Sequence, residues 1–254
     1  MNEFFVALLF SIIAGLSTTI GSLITIFLKN PSNKFISLIM GFSAGVMILI
    51  SFVELLQQGI ASSNFLLGHI FFLIGMAFMF LIDITISHQY EFEGESLAND
   101  LKNSDSRAKS TSLLVTMGIF IHNFPEGMAT FIGTLQSIEL GTFLAFAIAL
   151  HNIPEGIAVA VPVYTSTKSK RKAFTWSFLS GISEPIGALI VGLILYPFIN
   201  EFILGTMLAI VGGFMIYISL DELLPASQSL GVQHLPILGI FIGMFVMAIS
   251  LSML

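Results

Sequence analysis

Two copies of one short motif carry most of the reactive side chains in this sequence. His122-Asn123-Phe124-Pro125-Glu126-Gly127 recurs as His151-Asn152-Ile153-Pro154-Glu155-Gly156. Within each copy His and Glu stand four apart and Asn and Glu three apart, so on a helix all three share one face. Imidazole suits zinc, iron, copper and nickel, and carboxylate adds manganese, so the pattern reads as divalent-metal chemistry. Cysteine is absent, which excludes disulfides, thiolate zinc sites and iron–sulfur ligation. Without thiolates copper(I) is poorly served, although twelve methionines are present. The competing structural reading is a pair of proline kinks whose His and Glu tie helices together. Duplication of six residues weighs against it, because intramembrane ionisable groups as a rule mark a pathway.

The elements that must position these motifs are membrane helices. Of the 254 residues 56% are hydrophobic and only 9% charged, with a mean hydropathy of +0.97, whereas a soluble domain carries roughly 25% charged residues. Eight stretches reach the roughly 20 apolar residues that a spanning helix needs: 4–27, 35–59, 65–87, 111–133, 139–163, 174–198, 202–226 and 234–254. The fold class is therefore all-α, a polytopic membrane protein, with residues 1–254 forming a single transmembrane domain. The N-terminal Met1-Asn2-Glu3 lacks the positive region of a signal peptide, so the first apolar run is expected to stay as a helix. The one long connection, 88–110, is polar and acidic and is expected to be a flexible loop. All nine basic residues fall in the first, third and fifth connections. The positive-inside rule makes that side cytoplasmic and sets both termini outside, in the inner membrane of a cell.

Both motifs lie near the centres of their spans, the fourth and fifth. These spans run antiparallel, so His122 is expected level with Glu155 and Glu126 level with His151, four ligands converging at the midplane. Pro125 and Pro154 free the carbonyls of Ile121 and Leu150, and unwound backbone at that depth is tolerated where it lines a wet cavity. Ser183-Glu184-Pro185 adds a carboxylate at a third broken helix, the sixth. No expected span holds a Lys or Arg. Carboxylates as deep as Glu126, Glu155 and Glu184 cannot all ionise in low dielectric without a counter-charge; they hold protons or share a cation. Glu54 lies toward the outer end of the second span, Asp221 and Glu222 toward the inner end of the seventh. Asp83, close to an interface, is given no role.

The helices hide a repeat. Met47–Leu56 and Met215–Leu224 match at seven of ten positions with an offset of 168, and Ser11–Ile24 matches Ser177–Ile190 at seven of fourteen with an offset of 166. The second match pairs Gly15 with Gly181 and Gly21 with Gly187, and Ile74-Gly75-Met76 recurs as Ile242-Gly243-Met244. Helices 1–3 thus resemble helices 6–8. Copies starting five helices apart run oppositely through the bilayer, an inverted repeat of the kind that puts transporter sites at the midplane.

Taken together, the paired His-Asn-x-Pro-Glu-Gly motifs, Ser180-Gly181-Ile182-Ser183-Glu184-Pro185-Ile186-Gly187 and Asp221-Glu222-Leu223-Leu224-Pro225 resemble the ZIP family of metal transporters. The likeness covers essentially the whole chain. It implies a 3+2+3 helix arrangement and a transport site between helices 4 and 5. One metal position looks like His122, Glu126, His151 and Glu155; a second beside it looks like Asn123, Glu126, Asn152, Glu155 and Glu184, the two glutamates bridging. In this family the third connection often holds a histidine-rich segment, whereas here only His88 lies nearby.

The function expected is transport of divalent metals into the cytoplasm, zinc first, with iron(II), cobalt, manganese and cadmium suited to the same nitrogen and oxygen donors. The ion would pass Glu54, bind at the midplane and leave past Asp221 and Glu222, by rocking of helices 1–3 and 6–8 against a central pair. Zinc is then substrate, with no cofactor required. Metal ions and lipid are the partners; a net charge of −6 does not suggest nucleic acid, and a homodimer is allowed for. Two rivals stand. An intramembrane metalloprotease commonly uses His-Glu-x-x-His, a sequence absent here, and the chain is not expected to be an enzyme. A proton or organic-solute carrier would use the same acids as a relay.

Overall fold

The computed structural model describes residues 3–28, 31–86, 123–198 and 200–252. Among the described residues every regular element is helical. In chain order they are α1 (Glu3–Leu28), α2 (Asn33–Ser62), α3 (Phe65–Ile86), α4 (123–136), α5 (Ile138–Thr167), α6 (Lys170–Gly181 and Ser183–Leu195), α7 (Glu201–Ser229) and α8 (Leu235–Ser252). Seven of these are long and apolar enough to cross a membrane, and the chain is a multi-pass membrane protein. The remaining expected span, 111–133, is described from residue 123 onward, and the 88–110 connection lies outside the described residues.

Helix ends follow local chemistry. Ser32, Ser137, Ser169 and Asn200 each cap the helix that follows by accepting a backbone N–H three residues on. Ser137 does more: its own N–H closes α4 on Gly133 O at 2.9 Å while its hydroxyl opens α5 on Leu140 N at 3.0 Å. A single residue thus turns the chain, and the two motifs are held on one tight antiparallel hairpin. Lys34 and Lys170, Arg171 and Lys172 stand exposed in the first turns of α2 and α6, so these helices run past the expected spans. Cations are disfavoured at helix N-termini; their position suits a membrane interface better than it suits the helix.

The interior is built from small residues. The buried face of α1 is Ala7, Ser11, Ala14, Gly15, Ser17, Thr18, Gly21, Ser22 and Thr25, while Phe5, Leu9, Ile13, Leu16, Ile20 and Leu23 point outward. In lipid large apolar side chains gain nothing by facing another helix, and small ones let backbones close together. A Cβ added at Gly15 would overlap the Gly181 carbonyl, and one at Gly181 the Gly15 carbonyl, so α1 crosses α6 backbone on backbone.

Pairing follows the repeat. Gly45 meets Ile240 O in α8 and Gly213 meets Phe72 O in α3; Gly75 meets Ile210 O and Gly243 meets Phe42 O. Each pair maps onto its mate at the offset of 168. A π-helical turn interrupts α2 at Ser51–Leu55 and α7 at Ser219–Leu223, the same five positions of the repeated motif. In both copies the leading serine hydroxyl bonds the carbonyl four back, Ser51 to Met47 and Ser219 to Met215, each at 2.7 Å.

Packing order differs from chain order. α1 lies against α5 and α6, whereas α2 packs on α8, α7 and α5, and α3 on α7 and the end of α2. Helices 1–3 are therefore interleaved with their mates.

Candidate metal centre

α4 and α5 bring the two motifs together in the interior. Asn123, Glu126, His151, Asn152, Glu155 and, from α6, Glu184 are each no more than 1% exposed. His151 Nε2 lies 3.1 Å from Glu126 Oε1, the cross-motif level expected from the antiparallel run. One ligand atom from each of Glu126, His151 and Glu155 can be chosen so that all lie within 4.8 Å of one another. His122, the fourth expected ligand, lies outside the described residues.

Of the second expected group, Asn152 and Glu184 are in direct contact. Asn152 Nδ2 donates to Glu184 Oε1 and to Ala14 O at 3.0 Å, and Asn123 Nδ2 donates to Ser180 O at 3.5 Å. Among the described residues, no hydrogen bond is made by both oxygens of Glu126, both ring nitrogens of His151, Oδ1 of Asn152 or Oε2 of Glu184. Leaving a buried polar atom unpaired costs about 1–3 kcal/mol, more when it is charged. Such a cluster of lone pairs is what a cation would satisfy. The described basic residues, Lys34, Lys168, Lys170, Arg171 and Lys172, are all exposed, so none neutralises these acids from within.

The motif glycines set the approach of the flanking helices. A Cβ at Gly127 would overlap Glu184 O, and one at Gly156 would overlap Thr18 O, so α6 reaches α4 at Glu184 and α1 reaches α5 at Thr18. The prolines act differently from expectation. α5 stays helical through Pro154, helped by Ser43 Oγ, which donates to His151 O at 3.2 Å. The break falls in α6, where Ile182 forms a turn between Gly181 and Ser183, placing Glu184 in the first turn of the second segment.

Glu54, Asp221 and Glu222 stand apart from this cluster, on the two π-helical turns. Glu54 is half-buried and accepts from Gln58 at 2.7 Å, and Gln136 at the end of α4 donates to Gln58 Oε1 at 2.6 Å. Nearby, a cavity of about 410 Å³ is lined by Ser62, Gln136, Asn200 and Glu201. Asp221 is exposed, and the Tyr217 hydroxyl lies 3.1 Å from Asp221 Oδ2 and 3.2 Å from Asp83 Oδ2. Asp83, given no role from sequence, therefore shares a hydroxyl with Asp221. The signal for that pairing was available only as the acid's depth in the third span.

The sequence model of the family described as ZIP Zinc transporter matches residues 87–251. The chain belongs to the ZIP family. Among ZIP relatives, it is 44% identical to the "Zinc transporter ZupT" of Chlorobium luteolum over 100% of both chains. It is 41% identical to that of Clostridium perfringens, over 99% of this chain and 96% of the relative. Against the Streptococcus mutans protein of the same name it is 42% identical, over 98% of each. Membership in ZIP makes this chain a transporter and not an enzyme, which removes the metalloprotease reading.

Proposed function

We propose that this chain carries divalent transition-metal ions, zinc first among them, across the cytoplasmic membrane and into the cell. The observation that carries the reading is the buried Glu126–His151–Glu155 group, with none of the described basic residues placed among its acids. His122, Glu126, His151 and Glu155 hold one ion. Asn123, Asn152 and Glu184 complete a second position that shares the two glutamates. Three carboxylates against two divalent ions leave a net charge of one, against three in the empty ionised site, a reduction that low dielectric favours. Nitrogen and oxygen donors without thiolate accept iron(II), cobalt, manganese and cadmium as well.

The ion arrives past Glu54 and departs past Asp221 and Glu222. These acids sit on π-helical turns, which occur preferentially at functional sites. Both termini face outward and the 88–110 connection faces the cytoplasm, in line with the distribution of basic residues. The whole chain acts as one transmembrane domain, and a homodimer is compatible with it. The site-bearing helices α4, α5 and α6 carry α1 with them, so alternating access moves these four against α2, α3, α7 and α8.

The test is metal-competition uptake by the purified protein in liposomes at two external pH values. Zinc accumulation that cadmium and iron(II) compete away supports the reading. Proton or organic-solute flux without metal flux would favour the carrier alternative instead.

A further inference from the structure

All but one of the serines and threonines of α1 return their hydroxyls to a carbonyl of their own helix: Ser11 to Ala7, Ser17 to Ala14, Thr19 to Leu16, Ser22 to Thr19 and Thr25 to Gly21. Thr18 is the exception. It is fully buried, and its Oγ1 has no hydrogen-bond partner among the described residues. The usual acceptor for a helical threonine is the carbonyl four residues back, here Ala14 O. That oxygen already receives Asn152 Nδ2 at 3.0 Å and Ser17 Oγ at 2.5 Å.

The repeat says where this hydroxyl belongs. The offset of 166 pairs Thr18 with Glu184, Ala14 with Ser180 and Gly15 with Gly181. The structure repeats those pairs contact by contact. Asn152 donates to Ala14 O, and Asn123 donates to Ser180 O. Gly156 faces Thr18 O where Gly127 faces Glu184 O. A Cβ built at Gly181 would lie 3.3 Å from Thr18 Cβ, and one built at Gly15 would lie 3.3 Å from Glu184 Cβ. Glu184 rests its backbone on α4 and aims its carboxylate at Asn152 of α5. Its mate Thr18 rests its backbone on α5, and the repeat relates its side chain to that of Glu184 across the same centre.

We propose that Thr18 supplies an uncharged oxygen ligand to the transported ion, on the α1 flank of the metal centre opposite Glu184. The assignment rests on the metal-transport reading above. Its logic is one of charge. An acid at this position would add a fourth buried carboxylate, and conduction requires binding weak enough to release. A hydroxyl completes the coordination shell while the fixed charge stays with Glu126, Glu155 and Glu184.

The experiment uses the purified full chain: Cd²⁺ titration by calorimetry in detergent, zinc uptake in liposomes, and thermal melting without metal. The variants are Thr18→Val, which keeps the shape and removes the hydroxyl, Thr18→Ser, which keeps the hydroxyl, and Thr18→Glu. Because Oγ1 makes no hydrogen bond among the described residues, Thr18→Val should leave the melting temperature measured without added metal unchanged. It should weaken Cd²⁺ binding about three- to tenfold, the loss of one polar contact. Thr18→Ser should bind as the wild type does, and Thr18→Glu should bind more tightly while slowing uptake. Wild-type affinity and uptake in Thr18→Val would overturn the assignment, as would equal impairment in Thr18→Ser. Failure of the wild type itself to bind Cd²⁺ would bring down the metal-transport reading, and the role of Thr18 with it.

Discussion

His151 Nε2 of one motif copy stands 3.1 Å from Glu126 Oε1 of the other, close enough for one ion to bind both. The two residues come from adjacent helices joined through Ser137 alone, so neither motif makes a site by itself. Removing either partner leaves the other buried without its ion. Glu126→Gln and His151→Ala should each abolish zinc uptake in liposomes, and the double variant should be no worse than either single one, since residues acting as a unit are not additive. Far-ultraviolet circular dichroism should show full helix content in all three. Measurable zinc flux through Glu126→Gln would remove that carboxylate from the transport site.

Much of this centre can be read from residue spacing, because a helix converts intervals of three and four into one face. The cross-motif level of Glu126 with His151 and the inward place of Glu184 follow from that alone. The repeat was legible too, since Ser51 and Ser219 lie in segments that match at seven of ten positions. What periodicity does not carry is backbone register and partner choice. The π-helical turns at Ser51–Leu55 and Ser219–Leu223 involve residues no different from α-helical ones. Pro154 looked like a break, but a neighbouring Ser43 hydroxyl bonds the adjacent carbonyl and α5 continues. Gly15 and Gly181 announced close packing without saying that they meet each other.

Asn152 bonds the Glu184 carboxylate through its amide nitrogen and keeps its oxygen free of hydrogen bonds among the described residues. It therefore both orients an acid and offers a donor atom. Asn152→Leu should weaken Cd²⁺ binding about 10–100-fold, the range seen when groups that orient metal ligands are lost. Glu184→Gln should leave one bound Cd²⁺ where the wild type holds two, as counted by equilibrium dialysis of the purified protein. Two ions retained by Glu184→Gln would assign the second position elsewhere.

Metal binding needs neutral imidazole and ionised carboxylate, so loading the site releases protons. Acid thus competes with the metal: affinity is highest where the ligands are deprotonated and falls as pH is lowered. Zinc uptake into liposomes should slow as external pH drops, through a rise in the half-saturating zinc concentration with little change in maximal rate. A pH-independent half-saturation would mean that ligand protonation does not limit loading.

The last prediction concerns the crossing that carries α1 and α6 together. Gly15 and Gly181 meet backbone to backbone, and Ser177 Oγ donates to Thr18 O at 2.8 Å one turn away. A side chain at Gly181 would strike the Gly15 carbonyl, which is backbone and does not yield by changing rotamer. Overpacking of this kind costs about 1–3 kcal/mol or more, and here it would also push Glu184 away from Asn152. Gly181→Val should lower the melting temperature in detergent and weaken Cd²⁺ binding together. Ser227→Ala gives the contrast. Ser37 and Ser227 exchange buried bonds of 3.0 and 2.6 Å between α2 and α7, in helices that contribute none of the expected midplane ligands. Interhelical hydrogen bonds in membranes average about 0.6 kcal/mol, so its loss should lower stability slightly and leave Cd²⁺ affinity untouched. Equal effects of the two substitutions on affinity would mean that the crossing at Gly181 does not position the site.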